Sequence, residues 1–316
     1  MAYLPTPQQL RYLVMLAEIG HFGRAASACA VSQSTLSAGL LALERGLDAH
    51  ILDRSAAKHA VFTPLGLELI AKARTALAAL SAVAEVADAA RAPMSGPLRF
   101  GMIPTIGPFL LPRLMPALRE GYPALKLFLR EDQTERLLDQ LDAGQLDVLL
   151  LAEPCACGGA ETFAVAQDEF LVALPPGHPL AARPSIAVTV LAAEQLLLLE
   201  DGHCLREQVL SVCGAAVGRE QRFAATSLHT LIQMVAGGLG VTLVPRLAVN
   251  AGLTEGTGVE LRPLDGAGGW RTLSLVWRPG SPRGAEYRAL APFIARACGE
   301  SGAWSSGIVQ PEKIAC

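Results

Sequence analysis

"TPQQLRYLVMLAEIGHFGRAASACAVSQSTLSAGLLALERGL", residues 6–47, reads as three helices in close succession. In the first, Leu10, Leu13, Leu16 and Ala17 share a face, Thr6 is placed to cap the N-terminus with Pro7 at the first helical position, and Gly20 ends it. "HFGRAASACAV" is a second, shorter helix. Ser32 caps the third, in which Leu36, Leu40 and Leu43 recur at helical spacing, and Gly46 closes it. "HAVFTP" (59–64) supplies a strand. Two short helices split by a tight turn, followed by a strand pair, make a winged helix-turn-helix pattern.

Outward from that unit, one long helix is expected from residue 65 to about 92. Ile70, Leu77 and Ala84 repeat every seven residues, and so do Ala73, Leu80 and Ala87, which is the seam of a short coiled coil and predicts a dimer. The competing reading is a helix packed on its own domain. Past Pro93 and "SGP" (95–97) the pattern changes. The strand-like runs "PLRFGMI", "LKLFLRE" and "LDVLLLA" alternate with the helical stretches "FLLPRLMPALREGYP" and "TERLLDQLDAG", which argues for a parallel sheet. A second set begins at "DEFLVALPPGHPLA"; "WRTLSLVWRPGSP" is a late strand and "AEYRALAPFIARAC" a last helix. Two α/β halves joined by crossing strands suit a hinged two-lobe binding domain. The tail from Gly299 carries no packing pattern. The expected organisation is therefore α/β, with a DNA-binding winged helix-turn-helix over 1–64, a linker and dimerisation helix over 65–94, a two-lobe, periplasmic-binding-protein-like regulatory part over 95–298, and a tail over 299–316. Lobe I takes about 95–168 and 270–298, and lobe II about 169–269.

The totals limit what such a chain does. Of 316 residues, 51% are apolar, ample for sizeable cores, and the net charge of -3 gives no global basic field for nucleic acid. Residues 1–64 hold five Lys/Arg against four Asp/Glu, weak for one DNA-binding unit, so two or four copies are needed to gather phosphate contacts. No apolar run spans a membrane, and the N-terminus lacks a basic stretch followed by an apolar one and a cleavage site. A cytoplasmic protein is expected, and its seven cysteines are then free thiols unless redox-active or metal-bound.

The helix-turn-helix stretch resembles that of LysR-type transcriptional regulators. "FGMIPTIGPFLLPRLMPALREGYP", "REDQTERLLDQLDAGQLDVLLL", "LLLLEDGHCLREQVLSVC", "FAATSLHTLIQMVAGGLGVTLVP" and "WRTLSLVWRPGSPR" look like the hydrogen-peroxide-sensing OxyR group of that family. The resemblance covers roughly residues 5–298. It implies a tetramer on double-stranded promoter DNA, whose oxidised form recruits RNA polymerase. It also implies a first cysteine that reacts with peroxide and a second that resolves it as a disulfide. Cys204 and Cys213 stand at those positions. A peroxide pocket is implied at Thr105, Gly107, Thr134 and Arg271, and His203 and Arg206 are added to it for their nearness to Cys204 in sequence; no cofactor and no metal is expected. Reduction falls to a cytoplasmic dithiol system of the glutaredoxin or thioredoxin type.

Read on their own chemistry, the residues offer what a peroxide-reactive thiol needs. Only a thiolate attacks, and Asp201 and Gly202 are plausible helix-start residues, which puts Cys204 in a first turn near the positive end of a helix dipole. His203 and Arg206 are near enough in sequence to offer a charge or a hydrogen bond; the alternative is an inert buried cysteine. If 204–213 is one helix, its nine-residue separation gives roughly 13.5 Å of rise and puts the two side chains on opposite sides. A disulfide needs Cα atoms about 4.4–6.8 Å apart, so the helix cannot survive the bond.

In the third helix Gln33, Ser34, Thr35 and Ser37 lie at the end that enters a major groove, with Arg24, Arg54 and Lys58 as phosphate contacts. Many LysR proteins have Pro where Ser34 stands here, and the wing "DRSAAKHAVF" has fewer basic residues than usual. "PCACGG" sets Cys155 and Cys157 one residue apart, a spacing open to a soft metal, a disulfide or a plain connecting loop. Cys29, Cys298 and Cys316 read as a helix residue and tail residues. A regulator answering to a small organic ligand in the cleft is the second reading. A thiol peroxidase has no use for residues 1–64, and a periplasmic solute-binding protein would need a signal peptide.

Overall fold

A computed structural model describes residues 3–53, 60–91, 93–155, 157–213, 224–265 and 269–299, with 82 and 84–91 as backbone alone. Arg54, Lys58, the side chains of Ala84 and Ala87, Cys316 and the tail from residue 300 lie outside the described residues. The chain forms two compact units, Met1–Arg91 with Asp139–Leu146, and Ala92–Leu138 with Asp147–Cys316. The short stretch Asp139–Leu146, which the sequence places in the regulatory part, thus groups with the N-terminal unit.

The N-terminal unit holds α1 (Pro7–Ile19), α2 (Phe22–Ala28), α3 (Gln33–Leu47) and α4 (Pro64–Arg91). Local chemistry starts each helix. The Thr6 hydroxyl accepts from the Gln9 N–H while the Gln9 side chain accepts from the Thr6 N–H, and Gly20 ends α1 in the left-handed region. Ser32 accepts from the Thr35 N–H to start α3, and Thr63 accepts from the Gly66 N–H to start α4. The axes of α2 and α3 meet at a bend of 98°, within the helix-turn-helix range. Leu52 and Phe62 bridge antiparallel as the stem of a wing.

Two expectations change here. Gly46 does not close α3: the helix runs one residue further and Asp48 takes the left-handed cap. Gly46 is small because a Cβ there would collide with the Tyr3 ring. The heptad seam of α4 is divided. Ile70 and Ala73 are buried in the unit's own core with Leu13, Leu16, Leu36, Leu40 and Leu43, whereas Leu80 and Val83 are 48% and 70% exposed. Along the seam the burial thus lies in the N-terminal half of α4 and the exposure in the C-terminal half, while Leu65 and Leu67 near the helix start are exposed as well.

In the second unit the order is β1 (Gly96–Met102), α5 (Gly107–Gly121), β2 (Leu125–Glu131), α6 (Thr134–Asp142), β3 (Val148–Glu153), β4 (Glu161–Leu174), β5 (Ile186–Ala187), α7 (Val188–Leu191), β6 (Leu198–Leu199), α8 (Cys204–Cys213), β7 (Ala224–Ala225), α9 (Leu228–Ala236), β8 (Thr242–Pro245), α10 (Arg246–Asn250), β9 (Glu260–Asp265), β10 (Trp270–Trp277) and α11 (Gly284–Cys298). Cys298 is therefore the last residue of a helix, not part of the tail.

The main sheet runs β2-β1-β3-β10-β4-β9-β5, with β8 also on β4. β2, β1 and β3 are parallel, and β3 is an unbroken apolar run because both its faces are covered. β4 is the crossing strand. Glu161–Glu169 pairs antiparallel with β10, and from Phe170 the partners become β8 and β9. β6 and β7 pair parallel beside that second set. The loops after β1, β2 and β6 and the start of β10 bring Thr105, Thr134, His203, Cys204 and Arg271 together. Among the described residues no single helix is long and apolar enough to cross a membrane.

Candidate functional site around Cys204

The loop after β1 carries Ile103, Pro104 and Thr105, that after β2 Gln133 and Thr134, and that after β6 Gly202, His203 and Cys204; together they line one pocket. Gly202 is needed for two reasons: its φ is +91°, and a Cβ there would fall 2.8 Å from the Gln133 side-chain oxygen. The Gln133 amide donates to the Asp201 carbonyl at 3.3 Å, tying the two loops together.

Beneath the pocket lies a buried ion pair. Arg271, the second residue of β10, is opposite Asp168 in the β4 register, and both side chains are inaccessible. Arg271 Nε and Nη2 donate to Asp168 Oδ2 at 3.0 and 2.9 Å; Nη1 and Nη2 donate to the hydroxyl and carbonyl of Thr105 at 2.9 and 3.0 Å. Asp168 Oδ1 accepts from the Leu247 N–H at 2.8 Å. A carboxylate with three donors and a guanidinium making four hydrogen bonds to three acceptor atoms satisfy the demand that buried charges be paired. Asp168 was not foreseen. An arginine inside an apolar strand pattern requires an acid nearby, but the sequence does not say which one.

Cys204 is the first residue of α8 and half-buried. Burial, the largest influence, pushes its thiol pKa up. The Arg271 charge, the Thr134 hydroxyl and the N–H groups of Leu205 and Cys204 pull the other way without overcoming it. The helix start alone thus does not make Cys204 a resting thiolate. Thr134 Oγ1 is buried and makes no hydrogen bond of good geometry, so its influence on Cys204 is that of a donor close by and not yet engaged. His203 is buried, with Nε2 3.9 Å from Glu200 Oε1; burial lowers its pKa, Glu200 only partly opposing, so the imidazole is neutral near pH 7.

Arg206 does not join the pocket. Its Nε pairs with Asp201 Oδ1 at 2.9 Å and Nη1 donates to the Leu199 carbonyl at 3.0 Å. Two residues along a helix point to different sides, so nearness in sequence misplaced it. Gly107 is at the start of α5, its N–H donating to the Ile103 carbonyl and its α-carbon against Met102 and Glu131. It supports the Thr105 loop and is not among the lining residues.

Cys213, the last residue of α8, lies on the helix face that buries Leu205 and Val209. Burial pushes its thiol up to about 11. Gln208, also buried, donates from Nε2 to the Glu153 carbonyl at 3.0 Å. The two cysteines therefore occupy opposite ends and opposite faces of one helix, as their spacing requires.

Two family models match most of the chain: "Bacterial regulatory helix-turn-helix protein, lysR family" over residues 7–67 and "LysR substrate binding domain" over 91–299. The DNA-binding transcriptional dual regulator OxyR of Escherichia coli is 43% identical over 288 residues, 91% of this chain and 94% of that protein. The chain belongs to the OxyR group of the LysR family. The hydrogen peroxide-inducible genes activator of Pectobacterium carotovorum is also 43% identical, over 91% of this chain and 95% of its own. Among solved structures, a full-length OxyR cysteine-to-aspartate variant from Pseudomonas aeruginosa matches at a TM-score of 0.77 and 37% identity, covering 92% of this chain and 94% of that one. A Corynebacterium glutamicum OxyR cysteine-to-serine variant with hydrogen peroxide bound matches at 0.64 and 35%, covering 94% of each.

The pKa direction at Cys204 makes a testable statement about this OxyR-group site. With the thiol pushed up, the thiolate is the minor form at neutral pH, and its fraction grows about tenfold per pH unit below the pKa. Iodoacetamide alkylation of Cys204 is expected to accelerate near that slope from about pH 6 to 8. A rate flat across the range contradicts the direction.

Proposed function

We propose that this chain is a DNA-binding transcription regulator that responds to hydrogen peroxide through Cys204 and Cys213. The observation that carries the reading is the pair itself: one thiol in a pocket beside Arg271 and Thr134, the other buried on the opposite face of the same ten-residue helix. The chemistry starts when peroxide enters among Thr105, Thr134 and His203. The hydroxyls polarise its oxygens, and the neutral imidazole is available to take the thiol proton. The Cys204 thiolate attacks one oxygen, the O–O bond breaks, and the products are a Cys204 sulfenic acid and water. Cys213 then displaces water from that sulfur to give the disulfide. Its raised pKa keeps it protonated while buried, so resolution waits for α8 to open and solvate it. A cytoplasmic dithiol of the glutaredoxin or thioredoxin type resets the pair.

The domain reading follows from this. Residues 1–64 bind promoter DNA, 65–94 link and dimerise, 95–298 sense and 299–316 trail, with lobes exchanging at about residues 168 and 270. Gln33, Ser34 and Thr35 are exposed at the start of α3 and Ser37 is half-exposed, as a base-reading end requires. The Ser34 and Thr35 hydroxyls are each 2.8 Å from that of Ser32, which holds them at the helix start. Arg24, Arg54 and Lys58 supply phosphate contacts. The exposed Leu80 and Val83 are where α4 meets a second copy, and pairs of dimers gather the charge that one unit lacks. The oxidised assembly recruits RNA polymerase, and the protein carries out no turnover as an enzyme.

The test is a count of free thiols beside a promoter footprint before and after stoichiometric peroxide. Loss of two thiols per chain with a changed footprint is expected, together with steeply salt-dependent binding that deletion of 1–64 abolishes. A footprint change produced by a small organic ligand, with no thiol loss, favours the ligand-responsive alternative. Promoter binding by 95–316 alone overturns the domain reading.

A further inference from the structure

The chemistry above leaves one cysteine pair unused. Cys155 and Cys157 follow β3, and their sulfurs are bonded to each other, with Cα atoms 5.3 Å apart. Both are half-exposed in a turn closed by hydrogen bonds from the Cys157 N–H to the Cys155 carbonyl and from the Ala160 N–H to the Cys157 carbonyl. A disulfide spanning one intervening residue closes too short a loop to restrict the unfolded chain much, so stapling gives little reason for it. Among the described residues no group of three His, Cys, Asp or Glu side chains gathers as for a metal. What remains is a half-exposed disulfide that neither stapling nor a described metal cluster explains. A second observation connects it to the switch. Glu153, two residues before Cys155, offers its carbonyl to Gln208 Nε2 at 3.0 Å, and Gln208 is a buried residue of α8 whose Oε1 has no partner. This side-chain tie from the middle of α8 to the end of β3 thus lands on the segment that leads into the pair.

We propose that Cys155 and Cys157 form a second reversible thiol–disulfide couple and that Gln208 transmits its state to α8. The couple needs no peroxide. One cysteine thiolate attacks glutathione disulfide, releasing one glutathione as thiolate and leaving a mixed disulfide; the other displaces the second glutathione. Two protein thiols give up two electrons and two protons, and one glutathione disulfide becomes two glutathiones. A dithiol reverses it. Working in a glutathione-buffered compartment rests on the regulator reading above, but the chemistry of the pair does not.

The test is to titrate the full-length protein in glutathione buffers of increasing oxidation, quench, and quantify the Cys155/Cys157 and Cys204/Cys213 segments separately by differential alkylation and peptide mapping. The pair is expected to reach half-oxidation at a poise of its own and to return to dithiol on addition of dithiothreitol. A pair that remains dithiol throughout, or stays bonded in excess dithiothreitol while the protein is folded, overturns the couple. So does uptake of one equivalent of zinc or copper(I) by the reduced protein that is absent from the Cys155→Ser/Cys157→Ser variant. The link to α8 is read by amide exchange: with Cys204 and Cys213 reduced in both, α8 amides of wild type and variant are expected to differ by about threefold or more at a poise that oxidises the pair. Identical exchange there removes the role of Gln208. If Cys155/Cys157 cycles and Cys204/Cys213 stays reduced even after stoichiometric hydrogen peroxide is added, this inference stands and the peroxide-switch reading falls.

Discussion

Replacing Arg271 with alanine is expected to destabilise the regulatory unit by about 3–5 kcal/mol, the usual cost of leaving one member of a buried ion pair alone. The geometry explains why so large an effect is expected. Arg271 has no solvent exposure and Asp168 almost none, and the substitution deletes four hydrogen bonds at once. Asp168 keeps only the Leu247 N–H, and Thr105 loses both its contacts to the guanidinium. Denaturant unfolding of the two-unit chain, followed at Trp270 and Trp277 of β10, measures it. The Arg271→Ala/Asp168→Ala double variant is expected to recover part of the loss, since it removes the stranded charge. A single variant within about 1 kcal/mol of wild type contradicts the burial and the pairing on which the pocket floor rests.

Replacing Cys204 with serine is expected to abolish the peroxide-dependent footprint change altogether, because a serine hydroxyl forms no sulfenic acid. The reduced form's footprint should be unchanged. Replacing Cys213 instead is expected to leave Cys204 oxidisable but trapped as sulfenic acid or as a mixed disulfide with a small thiol. Intact-mass measurement after stoichiometric peroxide separates the cases. A Cys204→Ser protein that still changes its footprint removes Cys204 from the mechanism; a Cys213→Ser protein whose Cys204 is inert contradicts the division of roles.

What the residues disclosed beforehand was local. Thr6, Pro7, Gly20 and Ser32 announce their helix ends because a cap acts within a few residues of itself, and the structure places all four as read. The alternation after residue 97 shows a parallel sheet for the same reason: a strand covered on both faces is an apolar run, as β3 is from Val148 to Ala152. Most of the differences turn on contacts made at a distance, and the Arg206 one on the direction of a helix turn. Gly46 looked like a helix end, yet it is small because of Tyr3, more than forty positions away in the chain. Arg206 looked like a neighbour of Cys204, but the helix turns it to Asp201. Asp168 and Arg271 stand 103 residues apart and meet only because β4 and β10 pair. The pKa direction at Cys204 is of the same kind: the favourable helix start is visible in "DGHC", and the burial that outweighs it is supplied by loops from elsewhere.

The central claim is that the Cys204–Cys213 bond and α8 exclude each other. Reduced, α8 runs unbroken from one cysteine to the other and buries Leu205 and Val209, each stabilised by about 1.5–3 kcal/mol through that burial. Across ten helical residues the Cα atoms at its ends lie roughly twice as far apart as a disulfide tolerates. Forming the bond must therefore unwind α8, break the Gln208–Glu153 hydrogen bond and release those side chains. The direct measurement is amide hydrogen exchange across Cys204–Cys213 in the reduced protein and in the protein with that disulfide fully formed. The account predicts that the slow-exchanging helical amides of the reduced form become fast after oxidation, with smaller changes over residues 100–150. Near-identical exchange profiles in the two forms would contradict it.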